Sequence, residues 1–252
     1  MSHYIITGTS RGIGEAIARK LLKPGNTLFC TSRTLNEELV ELAVALGTTI
    51  YYYPTDLSDP LSVAGFSDLV WKNISPQKVK RIALVNNAGM LAPIGPIEKN
   101  DPVHLLMHIQ LNLLAPMLLT STFLAHTAKW DIPKVVFNIS SGAASTVYAG
   151  WSAYCSSKAA INMFTRTVAM EQSSAPFPAK ILAFAPGIVE TAMQTEIRDA
   201  DRDSFPEKEK FMKLHAEGRL SSPEYVADVI SNALFDDAIP QGSVLDIWNH
   251  KG

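Results

Sequence analysis

Seven short runs of apolar, β-branched and aromatic residues punctuate the chain: Tyr4–Thr7, Thr27–Thr31, Thr49–Tyr53, Ile82–Asn86, Val135–Ile139, Ile181–Ala185 and Val244–Ile247. Most are nearly continuously apolar rather than alternating, the pattern of strands buried on both faces of a parallel sheet. The first four connections have the length of a crossover helix, which parallel strands require. Repeated strand–helix units predict an α/β fold, a doubly wound parallel sheet of about seven strands with helices on both faces. No linker or low-complexity stretch interrupts the pattern, so residues 1–252 read as a single domain.

Two stretches stand apart. Leu105 to Leu124 is the most apolar segment of helical length, but His108, Gln110, Asn112, Thr120 and Ser121 interrupt it, and it reads as a buried helix. The region from about Glu196 to Glu217 is the most polar. It reads as a solvated helical surface or, from its late position, as a lid over a site, spanning roughly 191–218.

The chain has 252 residues, 47% hydrophobic and 18% charged, as in a compact enzyme rather than a disordered segment. A net charge of −2 leaves no basic footprint for nucleic acid. The first apolar run starts almost at the initiator, leaving no room for a signal peptide, and nothing reads as a membrane span. The two cysteines, Cys30 and Cys155, are far apart in sequence and require no bridge, so a cytoplasmic setting is expected. No metal site is expected. Cys155 lies beside a candidate catalytic residue, and a small apolar filler is its simpler reading.

The first run ends in Thr7-Gly8-Thr9-Ser10-Arg11-Gly12-Ile13-Gly14, and a helix-like run follows. Glycines here let backbone N–H groups and a helix N-terminus approach a pyrophosphate. Gly8, Ser10, Arg11, Gly12, Ile13 and Gly14 are therefore candidate cofactor contacts. Arg33 lies roughly 20 residues further on, where NAD enzymes often carry an acidic residue for the ribose 2′-hydroxyl. A guanidinium there suits a 2′-phosphate, Arg11 could add a second charge, and NADP(H) is the expected cofactor. After the third run, Asp56-Leu57 could meet the adenine, although Asp56 could equally cap the next helix.

Tyr154-Cys155-Ser156-Ser157-Lys158 puts Tyr154 and Lys158 on one helical face. A free tyrosine titrates near pH 10. An ammonium at ~4 Å would supply roughly the 4 kcal/mol needed to bring it near neutrality. That pairing suits general acid–base work. Ser141, at the end of a buried strand, could hydrogen-bond a substrate carbonyl, or simply form a turn. Asn112, within the apolar helix, needs hydrogen-bond partners, and a kink around a bound water is one way to find them.

Together with Asn86-Asn87-Ala88-Gly89 and Pro186-Gly187-x-x-x-Thr191, these residues resemble the short-chain dehydrogenase/reductase family along the whole chain. The resemblance implies a Rossmann fold, with Tyr154 as general acid in reduction and Lys158 lowering its pKa and holding the nicotinamide ribose. It implies that Ser141 orients the carbonyl, Asn112 holds a relay water and Asn87 lines the cofactor channel. Val189 and Thr191 would contact the nicotinamide carboxamide. Gly150 to Cys155 and Pro186 to Gln194 are similar to the sepiapterin reductase branch, and more so to the bacterial benzil reductases that form (S)-benzoin. Asp246 falls where a pterin would be held. Family members form dimers and tetramers, so a homodimer or homotetramer is implied.

Apolar residues are expected around the carbonyl, namely Leu91, Ile94, Val147, Tyr148, Trp151, Met193 and Ile197, with Gly187 and Asp246 nearby. Such walls suit a hydrophobic or aromatic ketone, and the expected reaction is reduction of one carbonyl of a 1,2-diketone such as benzil. The alternatives are a pteridine-type carbonyl reductase and, in another class, a non-catalytic NADP(H)-binding redox sensor.

Overall fold

The computed structural model describes residues 1–248. Seven parallel strands form one sheet in the order β3-β2-β1-β4-β5-β6-β7. They are β1 (Ser2–Thr7), β2 (Asn26–Ser32), β3 (Thr49–Pro54), β4 (Arg81–Asn86), β5 (Lys134–Ile139), β6 (Lys180–Ala185) and β7 (Val244–Asp246). All seven predicted runs are strands. The interior ones extend one or two residues towards the N-terminus, and the last stops before Ile247. Edge strand β3 shows only partial burial, whereas every residue of β5 is buried.

The connecting helices are α1 (Gly12–Leu21), α2 (Glu37–Ala45), α3 (Pro60–Lys72), α4 (Pro102–Ile109), α5 (Ala115–Thr127), α6 (Ser152–Gln172), α7 (Ala192–Asp199), α8 (Lys208–Ala216) and α9 (Pro223–Ala233). Several start by one local rule. Asp59, Asp101 and Ser222 each accept a backbone N–H of the first turn, and a proline follows, which needs no such partner. The fourth connection is longer than one crossover: it holds both α4 and α5, joined through a π-helical turn at Gln110–Leu114.

One apolar layer lies between the sheet and α1, α2 and α9, with Ile6, Leu28, Val85, Phe137 and Val226 fully or almost fully buried. The other lies under α3, α5 and α6, around Phe29, Phe66, Phe123 and Val136. The helix from Pro102 to Thr127 departs from the expectation of a buried element. By length and composition it could cross a bilayer, yet it flanks this sheet, and only 33% of its most apolar window is buried. Leu119 and Phe123 enter the core, while Val103, Leu106, Ile109 and Met117 face outward.

Candidate active site

The strand order reverses between β1 and β4, and a doubly wound sheet opens a crevice at the carboxyl ends of such a pair. Two loops enter it. The glycine turn leaves β1 with Gly8 at φ 74° and Gly12 at φ 63°, which side-chain-bearing residues rarely adopt. Asn87, just beyond β4, clamps the turn: its Nδ2 donates to the carbonyls of Thr7 (2.8 Å) and Gly8 (3.2 Å). The Thr7 hydroxyl accepts from the N–H groups of Asn87 and Ala88 in return. A Cβ on Gly14 would stand 2.2 Å from the Gly8 carbonyl oxygen and 2.3 Å from Asn87 Nδ2. No side chain caps the first turn of α1, so its N–H groups remain available to an anion.

Arg33 is exposed and takes part in no ion pair among the described residues. Sequence inspection passed over Asn36, which donates to the carbonyls of Thr9 and Ser10 while capping α2 through Leu39 N–H. It thereby holds the Arg33 loop against the glycine turn. Arg11 is exposed and lies near Glu196 on α7, whose carboxyl burial pushes up and Arg11 pulls back. Asp56 Oδ1 accepts from the backbone and hydroxyl of Ser58, and Asp59, not Asp56, caps α3. Leu57 is buried beneath this turn. An uncapped helix start and a glycine turn with no room for a Cβ together fit a dinucleotide.

On the other side of the crevice, Tyr154 and Lys158 are 7% and 5% exposed on the first turns of α6. Lys158 Nζ donates to the Ile139 carbonyl at the end of β5 (2.9 Å) and sits 5.7 Å from the Tyr154 ring centroid. Burial lowers the Lys158 ammonium to about 8. The Tyr154 hydroxyl is raised above its ordinary value, first by burial, with the Ser141 hydroxyl acting in the opposite sense. The expected lowering of Tyr154 is thus absent in this state, because burial outweighs the Ser141 hydroxyl. Ser141 Oγ accepts from Ala143 N–H (3.1 Å), and its own proton is directed towards the Tyr154 hydroxyl.

Asn112 lies in the π turn and is 1% exposed. Its side chain is hydrogen-bonded to protein groups. Oδ1 accepts from Met90 N–H, and Nδ2 donates to the Met90 carbonyl and approaches His108 Nε2. His108 and Ser157 were not singled out from the sequence. Their signal was His108 standing i−4 to Asn112 on an otherwise apolar helix.

Above these groups an aromatic cluster gathers Leu91, Trp151, Tyr154, Ile197, Phe205 and Phe211, with Ile94, Tyr148, Ile188 and Met193 packed against it. Trp151 stacks on Phe205 at 4.5 Å and meets Tyr154 edge-on at 5.7 Å. Val147 does not join these walls, being 93% exposed. Phe205 and Phe211 come from the polar 196–217 stretch, whose charges hid them. That stretch docks through glycine: a Cβ on Gly150 would stand 2.1 Å from the Ser204 carbonyl oxygen. Its root lies over the cofactor turn, with Thr191 Cγ2 at 3.3 Å from a Cβ built on Gly12. Val189 is buried just before it, bridged to Ser221. Gly187 is exposed at φ 72°, and Asp246, registered against Ala185, accepts from Trp248 N–H at 2.8 Å. Both cysteines are free, and burial holds the Cys30 thiol at about 12, too high for thiolate chemistry.

Residues 2–202 match the family profile described as short chain dehydrogenase. A benzil reductase ((S)-benzoin forming) of Bacillus cereus is 45% identical over 98% of this chain and 99% of its own. A sepiapterin reductase of Meriones unguiculatus is 32% identical over 98% of this chain and 96% of its own. The crystal structure of a short-chain dehydrogenase/reductase from Saccharomyces cerevisiae superposes with a TM-score of 0.83 at 26% identity, covering 98% of this chain and 96% of that one.

Proposed function

The chain belongs to the short-chain dehydrogenase/reductase family of oxidoreductases acting on carbonyl and hydroxyl groups, and from that premise we propose that it is an NADPH-dependent reductase of hydrophobic ketones. Benzil, reduced at one carbonyl to (S)-benzoin, is the substrate we infer, in line with the name of the Bacillus cereus relative.

The observation that carries this reading is a pair of proton donors beneath an aromatic wall. Ser141 accepts from Ala143 N–H and stands beside the Tyr154 hydroxyl, from which its proton can turn to a substrate carbonyl. Tyr154 is held in its neutral form by burial, as a proton donor must be. A bound reduced nicotinamide supplies the hydride. Ser141 donates to the carbonyl oxygen, and Tyr154 passes its proton to that oxygen as negative charge develops there. Lys158, charged below about 8, supports the tyrosinate left behind. Gly8, Ser10, Gly12, Ile13 and Gly14 would hold the pyrophosphate, Arg33 and Arg11 the 2′-phosphate, and Asp56 and Leu57 the adenine. Val189 and Thr191 would hold the carboxamide. Trp151, Gly187 and Met193 would line the substrate space under a lid formed by 191–218. A pterin reading rests on Asp246, one of whose carboxylate oxygens Trp248 N–H already engages. The non-catalytic sensor reading is not favoured in a chain with the whole catalytic set.

We infer also a homodimer or homotetramer, from the outward apolar residues of α4 and α5, and a cytoplasmic setting, which suits two free cysteines.

The test is NADPH oxidation with benzil and with sepiapterin, repeated with NADH and with Tyr154→Phe, the product being resolved on a chiral column. Turnover of benzil to (S)-benzoin with NADPH, lost in Tyr154→Phe, is the expected result. Undiminished turnover in Tyr154→Phe would defeat the mechanism. Sepiapterin turned over in preference to benzil would move the assignment to pterins.

A further inference from the structure

His108 closes α4 and has no exposed surface. Its neighbours determine its protonation. Nδ1 lies 2.8 Å from the Ala92 carbonyl oxygen, which can only accept, so Nδ1 carries a proton. Nε2 lies 3.0 Å from Asn112 Nδ2. The Asn112 amide cannot be flipped, because Oδ1 accepts from Met90 N–H at 2.9 Å and Nδ2 donates to the Met90 carbonyl at 2.8 Å. The second Nδ2 proton is therefore met by Nε2, which must be a bare lone pair. The ring is neutral, in the Nδ1–H tautomer. Burial disfavours the imidazolium first, and the Lys158 ammonium on α6 adds to this. Tyr154, edge-on at 6.2 Å, is the other titratable group of α6 facing the ring. Ser157 Oγ lies 3.0 Å from Nε2 and 2.9 Å from the Tyr154 carbonyl, so its proton either serves that carbonyl or shares the single Nε2 lone pair with Asn112 Nδ2–H.

One imidazole thus touches three segments: the loop after β4 through Ala92, the π turn through Asn112, and α6 through Ser157. The π turn breaks the regular helical ladder at Asn112, so side-chain partners must fix the residue there. We propose that His108 is a positioning residue, whose bare Nε2 anchors Asn112 and, through Ser157, the turn of α6 that carries Tyr154 and Lys158. The proposal rests on the reading of Asn112, Tyr154 and Lys158 as the working groups of the reductase.

The test combines a mutant cycle with spectroscopy on the full chain. His108→Leu, His108→Gln, Asn112→Ala and the His108→Leu/Asn112→Ala double variant are compared in kcat and KM for benzil, NADPH affinity by fluorescence, and Tm. His108→Leu should lower kcat about 10- to 100-fold while KM and NADPH affinity move less than about threefold. His108→Gln, which keeps an acceptor, should recover part of that loss. In the Asn112→Ala background, His108→Leu should cost less than about threefold more, since coupled residues are not additive. Imidazole ¹⁵N shifts of the wild-type protein at pH 7 should show one ring with a protonated Nδ1 and a bare Nε2, missing in His108→Gln. Losses that multiply in the double variant, or an Nε2–H or imidazolium ring, would overturn the proposal. The tautomer measurement decides even if His108→Leu fails to fold. Undiminished turnover in Tyr154→Phe would instead overturn the site reading, whatever His108 does.

Discussion

Lys158 illustrates how a single side chain sets a pH limit. Its folded pKa of about 8 lies below the ordinary 10.5, so between these values the unfolded chain binds more protons than the folded one. Stability contributed by this group therefore rises with pH across that window and is withheld below it, by about 3 kcal/mol in the cofactor-free protein. Urea unfolding from pH 7 to 10 should show wild type gaining on Lys158→Met by most of that amount. A constant difference would show that the ammonium is not desolvated. The glycine turn makes a steric prediction. Gly14→Ala places a methyl 2.2 Å from a backbone oxygen, and should cost about 1–3 kcal/mol, read as a lower Tm, together with loss of NADPH binding. Arg33→Ala should raise KM for NADPH roughly 10- to 100-fold, the scale of a lost charge-assisted contact, and leave KM for NADH almost unchanged. At this scale the motif residues were legible because each chemistry demands a particular side chain. The sign of the Tyr154 shift was not, because the Tyr–Lys spacing reports a shared helical face and says nothing of how deeply that face is buried. His108 was equally hidden, since its partners Ala92 and Ser157 arrive from a loop and a helix whose paths are set by tertiary contacts.

Strands and their order of appearance could be read directly, because an interior parallel strand is apolar on both faces and declares itself without periodicity. Asp59-Pro60, Asp101-Pro102 and Ser222-Pro223 likewise announced their helices by a chemistry local to a few residues. The π turn was only hinted at: Asn112 in an apolar helix suggested a kink, while the extra residue per turn across Gln110–Leu114 becomes visible only in the fold. The 196–217 stretch misled in another way. Its charges mark a solvated face correctly, while Phe205 and Phe211 on the inner side complete the aromatic cluster. Phe205→Ala removes a ring stacked on Trp151 at 4.5 Å. It should raise KM for benzil at least tenfold and leave NADPH affinity unchanged, since the glycine turn is untouched. An equal effect on both ligands would show that the stretch orders the whole crevice.

At the scale of the molecule, the proposed assembly bears on apolar side chains that the fold leaves exposed. Leu106 and Val103 on α4 are 58% and 61% exposed, and Met163 and Met170 on α6 are 61% and 79% exposed. Clusters of this kind on a folded chain mark association surfaces. Leu106→Glu combined with Met163→Glu should lower the assembly mass measured by light scattering to that of one chain. An unchanged mass would place the interface elsewhere. A second copy on this face would press on the helix that carries Asn112 and His108, so the dissociated variant should also lose turnover.

The docked 191–218 stretch has a kinetic consequence. Tyr154 is 7% exposed beneath Trp151 and Phe205, and Thr191 lies close to Gly12, so if 191–218 is the proposed lid, bulky reactants would exchange while it is lifted. Each catalytic cycle would then contain at least one opening that moves Phe205 and Phe211. Such a motion feels solvent friction, whereas hydride and proton transfer do not. Where opening limits the cycle, turnover should fall in proportion to the viscosity of added sucrose.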